Sequence, residues 1–258
     1  MDTTSQKITF PSSEGEMLAA SLEQGAGTPK AYAIFAHCFT CSKDYFATSW
    51  ISRSMAEHGL SVLRFDFTGL GSSGGDFANT NFSSNVEDLL AAADFLVNNY
   101  QAPQLLVGHS LGGTAAIVAA SRLPSVRAVA TINSPYDPTH LKRVFRSSRE
   151  EIERNGEAAV SIAGRIFKIK KQFLDDIAAH KMDETLRTLD RPILVFHSPV
   201  DNTVNIENAV KIFQAARHPK SFISLDNADH LLGKRSDAEF VARTLTAWAS
   251  RYFDSGGA

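Results

Sequence analysis

Residues 104–120 read Q-L-L-V-G-H-S-L-G-G-T-A-A-I-V-A-A. The first four residues form an apolar run typical of a buried strand, and the run of small residues after Gly112 favours a helix. Gly108 and Gly112 flank the central serine, and glycine removes side chains that would crowd a sharp turn between strand and helix. The stretch therefore predicts a strand, a tight turn that carries Ser110, and a helix.

Short β-rich runs alternate with segments of helical period along the rest of the chain, which is typical of an α/β fold with a mostly parallel central sheet and flanking helices. Ser84 and Glu87 have the spacing of a capping box at the start of one helix. The predicted strands are residues 17–22, 31–36, 61–65, 104–107, 126–132, 192–196 and 221–225. Besides the helix after Ser110, the predicted helices are residues 46–58, 86–100, 204–217 and 237–252.

Residues 135–188 break this alternation and are called the cap segment below, because we expect a small cap inserted into a single domain of residues 1–258. In this segment V-S-I-A-G-R-I-F-K-I alternates about Gly164 and predicts a hairpin. Basic residues on the first helix of the segment either favour an acidic substrate or form a solvated face, the plainer interpretation. Apolar residues either line an acyl pocket or anchor the cap. The basic residues are Lys142, Arg143, Arg146, Arg149 and Arg154. The apolar residues are Leu141, Val144, Phe145, Phe167 and Phe173.

The composition limits the classes of function. A chain of 258 residues that is 43% hydrophobic can bury a large core, and its formal charge of -2 gives no general attraction to nucleic acid or an anionic membrane. No apolar window approaches the roughly 20 residues that span a bilayer. Residues 1–30 show no signal-peptide pattern, so the cytoplasm is the expected location. The tail S-G-G-A at residues 255–258 resembles the start of a flexible linker.

Ser110 is the candidate nucleophile. A serine hydroxyl becomes reactive when it is held exposed beside a base, and a sharp turn from strand to helix does this. The following helix points its positive end at the same place and favours negative charge there. Capping that helix is the alternative role for Ser110, but a strand before the motif and a helix after it favour the catalytic interpretation.

His230, in D-N-A-D-H-L-L, is the candidate general base. It lies between the last predicted strand and the last helix, and it comes last in the chain order of nucleophile, acid and base that such sites follow. The other histidines have plainer expected roles. We expect His109 to pack beside the nucleophile, His37 and His197 to brace loops after strands, and His58 to end a helix. The remaining three are expected on exposed segments: His140, His180 and His218.

Asp201, in H-S-P-V-D-N-T-V after the strand P-I-L-V-F, is the candidate acid. Such a carboxylate fixes the tautomer of the base and stabilises the imidazolium ion. Asp137, which follows the preceding strand, is the fallback. Asp229 is adjacent to His230 in the chain and is expected to turn toward solvent.

Acyl transfer also needs two N–H donors for the oxyanion of the tetrahedral intermediate. The backbone N–H of Leu111, directly after the nucleophile, is the first candidate, and the loop after the strand A-Y-A-I-F-A supplies the second. That loop reads H-C-F-T-C, which makes the backbone N–H of Phe39 the natural candidate.

Cys38 and Cys41 are expected to be reduced, because a chain with no export signal belongs in a reducing compartment. Together with His37 they look like half of a metal or redox motif, but a zinc site needs a fourth ligand at suitable spacing. Simple packing is the preferred interpretation, and a redox-sensitive thiol is the alternative.

The motifs A-H-C-F-T, F-D-F-T-G-L-G-S-S-G, G-H-S-L-G-G, H-S-P-V-D and A-D-H resemble those of the α/β-hydrolase superfamily along the whole chain. More narrowly, F-A-H-C-F-T-C-S-K-D, N-T-N-F-S-S-N-V-E-D-L and Q-A-A-R-H-P-K-S-F are similar to the hydrolase half of bacterial proteins that join an α/β hydrolase to an OsmC-like domain. The resemblance implies an α/β-hydrolase fold and fusion to, or cooperation with, an OsmC-like domain. Most members of the superfamily have glycine where Cys38 stands.

These residues predict a serine hydrolase that cleaves carboxylic esters, with small or short acyl groups, through an acyl-enzyme. We expect no metal and no organic cofactor, and as partners a small acyl ester and, in a possible homodimer, a second copy of the chain. Thioesterase or small-peptide hydrolase activity on the same three side chains is the alternative. A non-catalytic binding module is a further alternative, against which the intact set of Ser110, Asp201 and His230 argues.

Overall fold

A sheet of eight strands forms the centre of the computed structural model, which describes residues 3–253. The strands of the molecule are β1 Thr4–Pro11, β2 Met17–Gln24, β3 Ala31–Ala36, β4 Leu60–Phe65, β5 Pro103–His109, β6 Ala128–Ile132, β7 Glu157–Ile162, β8 Arg165–Lys170, β9 Ile193–His197 and β10 Lys220–Ser224. The order in the central sheet is β1-β2-β4-β3-β5-β6-β9-β10. Strand β2 is antiparallel to both its neighbours, and the six strands β4, β3, β5, β6, β9 and β10 are parallel to one another. The predicted mostly parallel sheet is confirmed.

Helices cover both faces of this sheet. On one face α1 and α8 pack together and share a core with Ala33 and Phe35 of β3; on the other face α2 and α3 share a core with Ile34 of the same strand. Successive residues of a strand point to opposite faces, so a doubly covered strand is apolar throughout. The helices are α1 Phe46–Glu57, α2 Phe82–Asn99, α3 Leu111–Arg122, α4 Arg149–Asn155, α5 Lys171–Ala179, α6 Met182–Thr188, α7 Glu207–Ala215 and α8 Arg235–Ala249.

Two features near the chain start and α2 differ from the sequence-based prediction. Strand β1 was not predicted, because Phe10 is its one buried residue and no alternation marks it. The predicted capping box at Ser84 and Glu87 is wrong: the Asn81 side chain accepts from the Ser84 N–H at 2.8 Å, and the Ser84 hydroxyl accepts from the Asn81 N–H at 2.9 Å. The helix begins earlier because fully buried Phe82 belongs to its core face, so Glu87 lies beyond the first turn.

The cap segment connects β6 to β9 and carries the hairpin β7–β8, which pairs with no strand of the central sheet. Ala163 and Gly164 form its two-residue turn with φ angles of 51° and 79°, as a tight hairpin turn requires. The hairpin predicted about Gly164 is confirmed. The single basic helix expected before it is instead a 3-10 helix, Pro138–Arg143, followed by α4, because the chain turns inward between them to bury Phe145 completely.

The tail at residues 255–258, which is predicted to be a linker, lies outside the described residues. Within residues 3–253, every helix is too short or too polar to traverse a lipid bilayer.

Asp88 of α2 is a buried carboxylic acid that fastens the glycine-rich loop after β4. It accepts the backbone N–H of Thr68 at 2.8 Å and the Thr68 hydroxyl at 3.0 Å. Burial raises the pKa of the Asp88 carboxyl to about 6, although both hydrogen bonds from Thr68 act in the opposite direction. The folded protein therefore binds a proton at this carboxyl at a pH where the unfolded chain has released it.

A pH-dependent cost in stability follows for Asp88. The free energy of unfolding should fall by about 2 kcal/mol as the pH rises from about 4 to about 7, since the pKa of this group is higher in the folded state. In Asp88→Asn, whose amide can keep both contacts with Thr68, this contribution is absent. Urea unfolding of both proteins across this range tests the prediction, and curves that stay parallel would refute it.

Candidate active site

Ser110 lies at the turn between β5 and α3, in a backbone conformation that residues other than glycine rarely adopt. Its φ is 53° and its ψ is -128°, and its N–H donates to the carbonyl of Ile132 at 2.8 Å. A Cβ at Gly108 would collide with the backbone of Gly112, and one at Gly112 would collide with the carbonyls at the end of β3. The close approach of these backbones explains why the motif needs both glycines.

The structure brings Ser110, His230 and Asp201 together at the carboxyl edge of the parallel strands. The His230 Nε2 atom is 3.1 Å from the Ser110 hydroxyl oxygen, and its Nδ1 atom is 2.7 Å from Asp201 Oδ2. Asp201 follows β9 and His230 follows β10, as the sequence predicts. A hydroxyl, an imidazole and a carboxylate thus form one connected chain of hydrogen bonds.

Asp201 is held ionised by its hydrogen-bond donors. Burial opposes ionisation, but the hydrogen bond from His230 and the charge that this ring carries when protonated, together with the backbone N–H groups of Val204 and Thr203, keep the pKa of the Asp201 carboxyl below its usual range. Those two N–H groups donate to Oδ1 at 2.9 and 2.7 Å, which leaves Oδ2 for the imidazole. The carboxylate is therefore a fixed acceptor for the Nδ1–H of His230.

Asp137, the fallback acid, serves another role. Its carboxylate accepts the backbone N–H of Thr139 at 2.7 Å and caps the 3-10 helix of the cap segment. Asp229 is exposed, as predicted, and its carboxylate accepts the N–H groups of Leu231 and Gly233 in the loop that carries His230.

Two residues that position His230 were not assigned this role from the sequence. His109 donates its Nε2–H to the backbone carbonyl of His230 at 2.7 Å, and Asn133 donates its amide N–H to the same carbonyl at 3.1 Å. The Asn133 side-chain oxygen accepts the N–H of Ser198 at 2.9 Å, on the loop that leads to Asp201. One buried amide thus joins the loop of the base to the loop of the acid. Its position directly after β6, at the edge where Ser110 emerges, was the signal available in the sequence.

His109 is adjacent to Ser110 but is a poor candidate for the base. Complete burial, with the nearby His230 as the next largest cause, lowers the pKa of His109 to about 3. The ring is therefore neutral at physiological pH, and its Nε2–H bond to the His230 carbonyl leaves Nδ1 buried without a hydrogen-bond partner among the described residues.

The remaining histidines follow the prediction in part. His37 donates to the carbonyl of Cys38 at 2.8 Å and His197 donates to that of Val204 at 2.8 Å, so both brace loops as predicted. His140 was expected on an exposed segment, but it is half-buried, lines the cavity above Ser110 and donates to the Thr203 carbonyl at 3.1 Å. Its position differs because the 3-10 helix folds over the site.

Leu111 and Phe39 both line the cavity that contains Ser110. Leu111 is the first residue of α3, so its N–H has no carbonyl of the preceding turn to bond. Phe39 belongs to the turn after β3. The buried carboxylate of Asp66 accepts the N–H of Lys43, which follows this turn, at 2.5 Å, and that of Ser72, in the glycine-rich loop after β4, at 2.9 Å. The glycine-rich loop after β4 therefore lies behind the turn that carries Phe39.

Cys38 and Cys41 form a disulfide, with their Cα atoms 5.3 Å apart. The expectation that both are reduced and simply pack is therefore wrong, and the metal interpretation fails because each sulfur is bonded to the other. The two residues stand at opposite ends of one turn, in which the Cys41 N–H donates to the Cys38 carbonyl at 3.1 Å. The turn itself brings the two side chains within disulfide distance, whatever the cellular compartment.

A cavity of about 530 Å³ opens above Ser110 between the sheet edge and the cap segment. Leu141 and Val144 line it, as one interpretation of the cap predicts. Phe145, Phe167 and Phe173 instead anchor the cap: Phe173 and Phe145 pack on Phe39, with ring centroids 5.6 and 6.2 Å away, and Phe167 packs on Phe77. The larger apolar side chains of the lining are Phe39, Tyr45, Leu111, Leu141, Val144, Ile162, Val204 and Leu231.

Residues 33–244 match the sequence profile of the alpha/beta hydrolase family, which is most of the chain. The chain belongs to the alpha/beta hydrolase family. The strand order and the turn at Ser110 agree with this assignment, as does the crystal structure of the esterase domain of a Rhodothermus marinus protein. This α/β hydrolase is 48% identical to that domain and superposes on it with a TM-score of 0.79. The match covers 98% of this chain and 100% of that domain.

More distant relatives extend the comparison. The α/β hydrolase described here is 26% identical over 194 residues to the mitochondrial palmitoyl-protein thioesterase ABHD10 of Rattus norvegicus, covering 72% of this chain. It spans 64% of the length of that relative. Est1E of Butyrivibrio proteoclasticus, solved with ferulic acid bound, is 19% identical with a TM-score of 0.78 and shares the fold; the match covers 95% of this chain and 98% of Est1E.

Asn133 supports a prediction about stability. Asn133→Ala removes the bonds to the His230 carbonyl and the Ser198 N–H and leaves buried polar groups unpaired, so the free energy of unfolding should fall by about 1–3 kcal/mol. The exposed Asn99, which bonds only the carbonyl of Phe95 in its own helix, provides the matched control. Asn99→Ala should change stability by less than about 0.5 kcal/mol. Equal losses in the two variants, measured by urea unfolding, would refute this role.

Proposed function

We propose that this α/β hydrolase cleaves carboxylic esters through an acyl-enzyme on Ser110. The observation that carries the proposal is the continuous chain of contacts from the Ser110 hydroxyl through His230 to Asp201, at 3.1 and 2.7 Å. The esterase domain from Rhodothermus marinus, similar over nearly the whole chain, supports the same reaction class.

In the first half of the reaction, His230 Nε2 accepts the Ser110 proton while the serine oxygen attacks the ester carbonyl carbon. The imidazolium is stabilised by Asp201, which is ionised before the reaction begins. The carbonyl oxygen gains negative charge, and the N–H groups of Leu111 and Phe39 donate to it. The positive end of α3 favours the same charge.

Collapse of the tetrahedral intermediate expels the alcohol, which takes the proton from His230, and leaves an ester between Ser110 and the acyl group. In the second half, water enters, gives a proton to His230, and attacks this acyl-enzyme. The acid leaves and the proton returns to Ser110. Each step moves one proton and one acyl group, so the scheme contains no redox step and requires no cofactor.

The acyl-enzyme can be tested directly. Mixing the protein with excess para-nitrophenyl acetate should release a rapid burst of nitrophenol equal to about one acyl group per active site, because acylation by an activated ester outpaces hydrolysis of the acyl-enzyme. Rapid quenching and mass spectrometry should locate the acetyl group on Ser110. Ser110→Ala should show neither the burst nor the modification, and a burst of normal size in this variant would refute the proposal.

The choice of Asp201 over Asp137 gives a second test. Asp201→Asn keeps the shape of the side chain but loses the charge and favours the wrong tautomer of His230, so kcat should fall about 10⁴-fold. Asp137→Asn retains an oxygen that can accept the Thr139 N–H and should keep kcat within about twofold of the parent protein. Steady-state hydrolysis of para-nitrophenyl acetate distinguishes them. Equal rates in the two variants would contradict the assignment.

The disulfide between Cys38 and Cys41 encloses Phe39, so its reduction should loosen the turn that presents the oxyanion donor. We expect dithiothreitol to lower kcat by roughly tenfold, less than the 10²- to 10³-fold that follows complete loss of such a donor, with a smaller change in KM. The double variant Cys38→Ser, Cys41→Ser should have the lowered kcat without reductant and not respond to it. A parent protein whose kcat is indifferent to verified reduction would contradict the expectation.

Thioester hydrolysis is a second candidate function. It is favoured by the apolar lining of the cavity and by the similarity to the palmitoyl-protein thioesterase ABHD10. The same three side chains act on any activated acyl group. Comparing kcat/KM for an oxygen ester and a thioester with the same acyl chain, over a series of chain lengths, assigns the preferred leaving atom and acyl length.

A further inference from the structure

We propose that Arg165 forms a subsite for an anion in the substrate, so that this α/β hydrolase acts preferentially on esters that carry a carboxylate or another acidic group. The inference rests on the proposed esterase function and adds a substrate class to it. Arg165 lies at the start of β8, directly after the hairpin turn, and lines the same cavity as Ser110.

The guanidinium of Arg165 is held in place by contacts that leave its charge uncompensated. Its Nη1–H donates to the backbone carbonyl of Thr40 at 3.2 Å, and its central carbon lies 4.9 Å from the centre of the Phe167 ring. Neither partner is a carboxylate, and no Asp or Glu of residues 3–253 forms an ion pair with it. A guanidinium has five N–H donors in a planar fork, so most of them remain for a ligand.

Neighbouring cations of the cap segment are arranged differently. Lys168, on the same strand, pairs with Glu157 at 2.8 Å; Arg149 pairs with Glu153 at 2.7 Å; and Lys171 pairs with Asp175 at 2.6 Å. These pairs lie on exposed surfaces. Other cap cations, among them Arg143 and Arg146, also lack an ion pair among residues 3–253, and Arg165 is itself exposed. What distinguishes Arg165 from them is that it lines the cavity that contains Ser110.

The walls of the cavity reinforce this charge. Its lining residues include Arg165 but no Asp and no Glu, and Asp201 lies behind His230 rather than at the wall. The other basic side chain of the lining that belongs to the cap, His140, is neutral, because burial and then the nearby Arg143 lower its pKa. An anion that enters the cavity therefore meets one fixed cation and no repelling carboxylate on its walls.

The position of Arg165 relates the subsite to the reacting ester. The carbonyl that it bonds belongs to Thr40, the residue directly after the proposed oxyanion donor Phe39. Since Arg165, Phe39 and Ser110 line the same cavity, one ester can place its carbonyl at Ser110 and a carboxylate at the guanidinium, with a chain between them. That chain can belong to the acyl half or to the alcohol half of the ester, and the apolar lining suits either.

Two pairs of substrates separate these sources of the anion. For the acyl half, the mono-para-nitrophenyl ester of adipic acid is compared with para-nitrophenyl hexanoate, which has the same chain length and no charge. For the alcohol half, the butanoate ester of glycolic acid is compared with ethyl butanoate. The measured quantity is the ratio of kcat/KM, charged to neutral, in each pair, so an effect common to both members cancels.

In at least one pair, Arg165→Gln should lower the ratio about five- to tenfold, the range expected for a charge-assisted hydrogen bond at a partly exposed site. Arg165→Lys should fall between, because it keeps the charge and loses the fork. Arg146→Gln is the matched control: it removes one exposed cation of the cap segment outside the cavity lining and should leave both ratios unchanged. Added salt should reduce the preference of the parent protein.

Ratios that are the same in the parent protein and in Arg165→Gln for both pairs would overturn the subsite and leave the esterase proposal intact. A common fall of the ratio in Arg146→Gln would overturn it as well, since the effect would then be one of overall charge. If neither ester of either pair is hydrolysed, the esterase proposal fails, and calorimetric titration with adipate and hexanoate decides the subsite alone. Binding of adipate that Arg165→Gln weakens, with hexanoate unaffected, supports it, and equal binding of adipate refutes it.

Discussion

The positive φ of Ser110 is the constraint on which the rest of the site depends. This backbone conformation is unfavourable for a serine, and it persists because the surrounding backbone enforces it. Strands β3 and β5 and the start of α3 approach each other too closely at Gly108 and Gly112 for any side chain to fit there. The turn that results lifts one hydroxyl above the sheet edge and points the first N–H groups of α3 at the same place. The proposed nucleophile and one of the proposed oxyanion donors therefore come from one local feature.

The partners of Ser110 are supplied by loops far apart in the chain, and a buried amide fixes their spacing. Asn133 bonds the His230 carbonyl on one side and the Ser198 N–H on the other, so the loops of His230 and Asp201 are linked by contacts that do not involve Ser110. His109 adds a second bond to the same carbonyl, and its neutral ring brings no competing charge. The loops that carry the base and the acid are thus joined by buried hydrogen bonds, whereas the cap segment supplies much of the cavity wall.

The sequence predicted the fold and the meeting of Ser110, Asp201 and His230, because these follow from periodic patterns and from the rule that parallel strands end at a common edge. It missed features that depend on tertiary contacts. The capping box moved to Asn81 because the core face of α2 begins at Phe82, and the disulfide depends on the closeness of two ends of one turn. The structural role of Asn133 arises from loops that join only in the folded chain. The catalytic roles of the three side chains, and those of Leu111 and Phe39, stay predictions.

The hairpin β7–β8 is a part of this protein whose tip lies apart from the central sheet. Its strands pair with each other alone, its turn at Ala163 and Gly164 is exposed, and Phe167 fastens its base to the body of the protein. Insertions, deletions or substitutions at the tip should therefore leave intact the central sheet and the contacts among Ser110, His230 and Asp201. New substrate preferences can arise there by small genetic steps, which makes the hairpin a natural region for laboratory evolution.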